Sequence, residues 1–234
     1  LNESILNDTY SVFVERYDNE NGGFSTQPKF PSPQNIIFLL RYHKMTGNKT
    51  ALEMAEKTLI KMRMGGIYDQ LGFGFHRYST DKEWLVPHFE KMLYDQAMLS
   101  IAYTEAYHLT KKNVYKKIAI EILTYIKRDL KDNRGGFYSA EDADSEGEEG
   151  TFYIWSLEEL NFLEKSEKDL SIEYFNLEDE GNYLDESTRK KNGKNIFHIK
   201  SLNNISDNKY EKIRTKLFNQ RKKRIRPLKD DNCL

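Results

Sequence analysis

Cysteine is almost missing from this sequence of 234 residues, where Cys233 stands alone. One thiol cannot close an internal disulfide, form a CxxC redox pair or supply a cysteine-based zinc site. No charge of one sign predominates either: 36 basic side chains face 37 acidic ones, for a formal net charge of -1. That balance supplies no overall field for drawing the chain onto nucleic acid or anionic lipid, so neither is expected as a partner. Long apolar runs are absent as well. The longest strongly apolar stretch, Ile36 to Leu40, is far too short to span a bilayer. The start lacks the basic, apolar, small-residue pattern of an export signal, which together with the single thiol points to the cytoplasm. The chain opens on Leu1 rather than Met, as an excerpt of a longer protein would. Hydrophobic residues make up only 38%, but aromatics reach 13%, with 15 Tyr and 13 Phe. Disordered chains are poor in aromatics, so this one is expected to fold.

The first half reads as helices separated by glycine pairs. Residues 4–18 are helical by pattern and end before Asn21-Gly22-Gly23. Ser32 can cap a second helix with Pro33 in its first turn, running to Met45 and stopping at Gly47. A third, Asn48 to Met64, carries Leu52, Ala55, Leu59 and Met62 as an apolar stripe and ends at Gly65-Gly66. A polar-aromatic loop fills 65–87. A fourth helix is predicted from Pro87 to Leu109 and a fifth from Asn113 to Leu130, stopping before Gly135-Gly136. Phe137–Ala140 and Thr151–Trp155 flank an acidic turn and read as a β-hairpin, followed by a short Ser156-capped helix to Leu160. Residues 178–194 read as a polar loop and Asn195–Ile199 as a short strand. A charged helix at 207–224 has a narrow apolar face of Tyr210, Ile213 and Leu217. Gly-Gly followed by Phe24, Ile67 or Phe137 recurs at spacings of 43 and 70 residues. Those spacings are unequal, so a toroid of helical hairpins with one decorated loop fits better than a regular solenoid. The generic alternative is an irregular helical bundle.

The densest chemistry lies between Gly65 and Asp95. Tyr68, Asp69, His76, Arg77, Tyr78, Trp84, His88, Glu90, Lys91 and Asp95 surround a glycine-rich loop. Flat apolar faces beside hydrogen-bonding groups are what a sugar-like ligand requires. On a helix His88, Lys91 and Asp95 would fall at i, i+3 and i+7 on one side. Singly, each has a plainer reading: His88 as a helix cap, Lys91–Asp95 as an exposed ion pair, His76-Arg77 as part of a solvated strand.

A second candidate is Glu141 to Glu149, with six carboxylates in nine positions. Asp142, Asp144, Glu146 and Gly147 imitate the opening of an EF-hand, but position twelve is Tyr153 and the flanks read as strands, so that site is rejected. Crowded carboxylates also suit acid–base work, one kept neutral while a neighbour stays ionised. On that basis Glu141, Asp142 and Asp144 are candidates, and Glu146, Glu148 and Glu149 are read as a solvated hairpin tip. The basic run Arg221, Lys222, Lys223, Arg224, Arg226 and Lys229 sits at a helix end, where cations meet the dipole favourably, and is read as a helix terminus. No Walker loop or dinucleotide fingerprint occurs, and no cofactor or metal is expected.

The motifs resemble a known family. Gly22-Gly23-Phe24 with Pro28-Lys29-Phe30-Pro31 is similar to its first signature. Its central signature is similar to Gly65–Gly72, Gly74–Ser79 and Trp84-Leu85-Val86-Pro87-His88-Phe89-Glu90-Lys91-Met92-Leu93-Tyr94-Asp95. Gly135–Gly147 is similar to its third. The family is that of thioredoxin-domain-containing proteins similar to bacterial YyaL and the spermatogenesis-associated thioredoxin-like protein. Phe73 stands where many members have Gly. The resemblance implies a mainly all-α (α/α)6 toroid like that of six-hairpin glycosidases and sugar 2-epimerases. It also implies a thioredoxin-like domain elsewhere in the parent chain, so that 1–234 would be a single incomplete toroid domain cut at the motif beginning Arg226-Pro227 and Asp230-Asp231. The expected activity is hydrolysis or epimerisation of a carbohydrate or other small molecule. His88, Asp95, Glu141, Asp142 and Asp144 are the acid–base candidates. Tyr68, Asp69, His76, Arg77, Tyr78, Trp84, Glu90 and Lys91 are the substrate-binding candidates. The alternative is a non-catalytic recognition domain attached to the redox module.

Overall fold

The computed structural model describes residues 3–184 and 190–230; Asp231 and Cys233 lie outside the described residues. Five helices form its first half: α1 (Glu3–Arg16), α2 (Pro33–Thr46), α3 (Lys49–Met64), α4 (Leu93–Thr110) and α5 (Asn113–Tyr125). Helix α2 packs on α1, α3 and α4, and α4 packs on α5, so sequential helices pair as hairpins. The α3 stripe does what its periodicity predicts: Ala55, Leu59 and Met62 are fully buried, with Leu52 packed at the edge. Tyr103 of α4 and Ile118 and Ile122 of α5 complete the same core. A π-helical turn, Ile126–Leu130, prolongs α5 to the end predicted for it.

Two caps follow the sequence and one does not. Gly47 ends α2 at φ 73°, its N–H donating to the His43 carbonyl at 2.8 Å. The Asn48 side chain accepts the Ala51 N–H at 3.0 Å and starts α3. Ser32 occupies the cap position of α2 with Pro33 inside it, but its backbone is left-handed at φ 45° and its hydroxyl makes no capping bond.

Eight two-residue strands pair antiparallel among the described residues: β1 (Tyr78–Ser79) with β2 (Pro87–His88), β3 (Lys91–Met92) with β4 (Ala140–Glu141), β5 (Asp144–Ser145) with β6 (Glu148–Glu149), and β7 (Trp155–Ser156) with β8 (Lys194–Asn195). These pairings correct two predicted elements. The fourth helix begins at Leu93, not Pro87, because 87–88 and 91–92 are held extended by strands 78–79 and 140–141. The helix starts once the Leu93 N–H is satisfied by the Ser139 carbonyl at 2.8 Å. The predicted hairpin narrows to 144–149, and its outer flanks pair with 91–92 and 194–195 instead.

The second half adds α6 (Lys165–Phe175), which the sequence reading lacked, and α7 (Asn208–Arg221). Tyr210, Ile213 and Leu217 bury the narrow face of α7 against Trp155, Phe175 and Phe197. A third small cluster of Phe89, Phe152, Tyr153 and Ile196 lies between the acidic hairpin and the 65–92 loop.

The glycine pairs serve unlike purposes. Gly22 and Gly23 are left-handed at φ 72° and 84°. Gly65 and Gly66 are needed for close approach, since a side chain at either would collide with the Trp84 or Leu85 carbonyl oxygen. Phe73 takes the left-handed φ of 69° that glycine adopts freely. Its ring is compensated by the Arg214 guanidinium, 4.5 Å from the ring centre.

Candidate functional site

The loop 65–92 and the acidic segment 139–149 meet beside the start of α4, and the titratable groups there divide into an interior network and an outer rim. In the interior, Asp69 receives both terminal nitrogens of Arg221 at 2.8 and 2.7 Å and the Lys91 ammonium at 2.8 Å. Its Oδ1 also accepts the N–H groups of Leu71 and Gly72 at 3.0 and 2.9 Å. Burial opposes the charge of Asp69, but the two cations and these donors outweigh it and hold the carboxyl well below the ordinary range. Burial lowers Lys91 in turn, against the pull of Asp69 and Glu141, and its ammonium lies 4.5 Å from the Tyr125 ring centre and 4.9 Å from that of Tyr153.

Glu141 is fully buried and fully occupied. Arg226 donates to it at 2.7 and 3.2 Å, and the Tyr125 and Tyr153 hydroxyls at 3.2 and 3.1 Å. Arg226 also reaches Asp129 at 2.8 Å. His76 donates from Nδ1 to the Phe89 carbonyl at 2.8 Å and meets the Tyr153 ring edge-on at 4.7 Å. Burial and the neighbouring Lys91 push its basicity well down, so it stays neutral. The Tyr68 hydroxyl donates to Glu121 at 2.6 Å, and the Trp84 indole donates to the Asn21 carbonyl at 2.9 Å with Lys29 5.1 Å from its ring.

The rim is different. His88 presents Nδ1 to Glu149 Oε1 at 2.7 Å, and the same oxygen accepts the Phe89 N–H at 3.0 Å. Its Nε2 faces Glu90 Oε2 at 3.7 Å, and Arg77 pairs with that Glu90 oxygen at 2.7 Å. The Tyr78 ring stacks on His88 at 4.9 Å, and Phe30 tilts onto Tyr78 at 4.9 Å. The hydrogen bond that His88 donates to Glu149 raises the pKa of His88 against its partial burial. Burial works against Glu149, but His88 and the Phe89 N–H draw its carboxyl down.

Phe30 continues into a cleft of about 480 Å³ between the starts of α2 and α4, walled by Phe13, Phe24 and Tyr94 and by Gln34 and Asn35. Asp95 lies in its wall, 6% exposed, and its Oδ2 has no hydrogen-bond partner. Burial pushes this carboxyl up to about 7, with Glu90 adding to the rise and Arg77 opposing it.

Of the residues singled out in the sequence, Arg77, Tyr78, His88 and Glu90 converge on the rim, and Asp95 opens onto the adjacent cleft. The predicted helical stripe of His88, Lys91 and Asp95 does not form. His88 and Lys91 are on strands, alternation turns Lys91 inward to Asp69, and the Lys91–Asp95 ion pair is replaced by Lys91–Asp69. Tyr68, Asp69, His76, Trp84, Lys91 and Glu141 are enclosed and bonded within the protein. Asp142 and Asp144 are exposed, and the Asp142 side chain accepts the N–H of Ala143 at 2.7 Å.

Glu149 is not a solvated hairpin tip but the partner of His88. The basic run is more than a helix terminus, because Arg221 and Arg226 turn back into the core. The signal for that was Arg rather than Lys at those positions, since the guanidinium fork suits bidentate burial. Among the described residues no group of three or more His, Cys, Asp and Glu side chains is placed to hold a metal ion. No helix among them is long and apolar enough to cross a membrane.

No protein-family model matches the chain. It is similar to Spermatogenesis-associated protein 20 of Homo sapiens, 38% identical over a 264-residue alignment covering 99% of this chain and 34% of the human protein. The Mus musculus protein of the same name is 49% identical over 159 residues, 64% of this chain and 20% of its own length. The chain therefore spans a third or less of the curated relatives it matches. In structure it is similar to the cellobiose 2-epimerase of Bacillus thermoamylovorans, with a TM-score of 0.53 at 14% identity over 60% of this chain and 42% of that one. A family 76 glycoside hydrolase from a bovine Bacteroides thetaiotaomicron strain gives 0.53 at 16% identity over 62% and 32%. Both neighbours are (α/α)6 toroids, and the hairpins of this chain share that helical-toroid fold.

Proposed function

We propose that this chain is a carbohydrate-active domain performing hydrolysis or epimerisation by acid–base chemistry on the rim formed by 77–90 and 142–149. One observation carries the reading. His88 is held through Nδ1 by Glu149, which leaves Nε2, beside Glu90 and Arg77, as the atom able to take and give a proton. A carboxylate on Nδ1 fixes the tautomer and supports the imidazolium, the arrangement that general acid–base catalysis uses. The same Glu149 contact brings the acidic hairpin against the loop that carries His88. Asp95, Asp142 and Asp144 are then the carboxylates able to share proton transfer, and Tyr78 and Phe30 the aromatic faces for a sugar ring. Glu141, enclosed by Arg226, supports the rim from within. The toroid neighbours, an epimerase and a glycoside hydrolase by name, make both reaction types natural expectations.

Turnover of a glycan panel by the full-length protein tests this, with His88→Ala and Asp142→Asn as controls. Turnover that survives His88→Ala would reject the reading. A second reading, a non-catalytic binding domain, is favoured by the tight pairing of Asp69, Asp129 and Glu141 with cations, which leaves few free carboxylates. Ligand binding without turnover would select it.

The similarity to the spermatogenesis-associated proteins supports membership of their family; the motif resemblance adds a thioredoxin-like domain in the parent chain to the proposal, and the single thiol adds a cytoplasmic location. A CxxC motif encoded upstream and a Trp-Asn motif downstream are the observations expected of that architecture.

A further inference from the structure

Among the described residues, Asp95 is the one carboxylate of this region that is buried without an ion-pair partner. Its Oδ2 is buried and unpartnered, a state that costs free energy unless something outside the chain completes it. It lies in the wall of the cleft of about 480 Å³, within the size range of small-molecule sites. The guanidinium that acts on it electrostatically, Arg77, is committed to Glu90 at 2.7 Å. We propose that this cleft binds a neutral, oxygen-rich ring, with Asp95 as a protonated donor to one ligand oxygen, Gln34 and Asn35 as further polar contacts, and Phe30 and Tyr94 as stacking faces. The proposal deepens the carbohydrate reading and rests on it for the class of molecule.

The charge state of the ligand follows from what surrounds the cleft. Helices α2 and α4 both begin here, and the Ser32 and Met92 side chains make no capping bond. Two helix starts present partial positive charge. Arg16 of α1 stands at the cleft wall, and the first turn of α2 carries no acidic side chain. A cation is therefore disfavoured despite the aromatic walls. An anion would meet Asp95 whenever that carboxyl ionises, with Glu90 nearby. Burial pushes the Asp95 carboxyl up to about 7, so below that pH it can donate an O–H. The titratable groups acting on Asp95 are thus Arg77 and Glu90 from the 65–92 loop, with Arg16 from α1 lining the same cleft.

One pyranose in three charge states tests this: glucose, glucosamine and glucuronate, followed by saturation-transfer NMR at about pH 5.5 and about pH 8.5 on the protein and on Asp95→Asn. Expected is a glucose signal at the lower pH that weakens at least about fivefold at the higher pH, as Asp95 ionises. In Asp95→Asn, whose amide stays neutral and keeps a donor, the signal should be independent of pH. Phe30→Ala, at an exposed position, should reduce it at both. Preference for glucosamine that vanishes in Asp95→Asn would overturn the proposal in favour of an ion pair. A glucose signal indifferent to pH and to both substitutions, or no signal from any of the three sugars, would also overturn it. Binding as expected without glycan turnover would leave this site standing and reject the enzyme reading.

Discussion

Glu149 Oε1 lies 2.7 Å from His88 Nδ1 and joins the acidic hairpin to the 77–90 loop across sixty residues of sequence. The bond raises the pKa of His88 and lowers that of Glu149, so both effects favour the charged pair. Because the folded pKa of His88 is raised, its stabilising contribution is complete below the unfolded value of about 6.5 and is lost as pH rises through the folded value. Glu149→Gln should therefore lower the His88 midpoint to or below that unfolded value, since partial burial and Arg77 then act against Glu90 alone. Titration of the His88 ring by NMR reads this directly. An unmoved midpoint would mean that Glu149 does not hold the imidazole.

Asp95 predicts the opposite dependence for a carboxylate. Its folded pKa, about 7, lies above the unfolded value of about 3.9, so stability is greatest below about pH 4 and declines as pH rises to the folded value. Asp95→Asn removes that penalty. The variant should be more stable than the parent at pH 8 by about 2–4 kcal/mol and equal to it near pH 4. Paired thermal melts at the two pH values check the sign. A variant that is less stable at both would show that Asp95 makes a favourable contact in the folded chain.

Much of the helical frame was legible because local signals and packing agree. The stripe of α3, the stop at Gly47 and the narrow face of α7 each follow from spacing or turn chemistry. The start of α4 was not, because His88, Lys91 and Asp95 satisfy helical spacing equally well. What decides against a helix there is pairing of 91–92 with a partner near residue 140, a contact that no local window contains. The same holds for the site. Composition singled out the 65–95 segment, but whether Lys91 faces solvent or Asp69 depends on strand register. Glu149 and Glu148 look alike in sequence, and only the hairpin turns one of them to His88. The aromatic cleft was missed because its walls come from four separate segments, α1, the 24–33 loop, α2 and α4, whose residues are individually ordinary.

Asp69 supports the loop rather than the rim. Removing its charge leaves Lys91 and Arg221 buried side by side, 1% and 3% exposed, with no carboxylate between them. Breaking one side of a buried ion pair typically costs about 3–5 kcal/mol, and two stranded cations place Asp69→Asn at the upper end of that range. Urea unfolding of the variant should show this loss. Loss of under about 1 kcal/mol would mean that water already screens the cluster.

Gly47 and Gly66 separate the two physical reasons for glycine in this chain. Around Gly47 there is open space, and only its left-handed φ of 73° resists a side chain. Gly47→Ala should therefore cost about 1 kcal/mol. Gly66 has no left-handed requirement, but a Cβ there would collide with the Leu85 carbonyl oxygen and the Ile196 side chain. A backbone oxygen cannot yield as a side chain does, because it is held in the turn that brings Trp84 back to Ile67, whose N–H donates to the Trp84 carbonyl at 3.0 Å. Gly66→Ala should cost about 3 kcal/mol or more and loosen the 65–92 loop. Denaturation midpoints give the two costs, and hydrogen exchange at Ile67 and His76 gives the loosening, which Gly47→Ala should leave unchanged. Equal costs at the two positions would mean that the close approach of residues 66 and 85 is not a constraint on the fold.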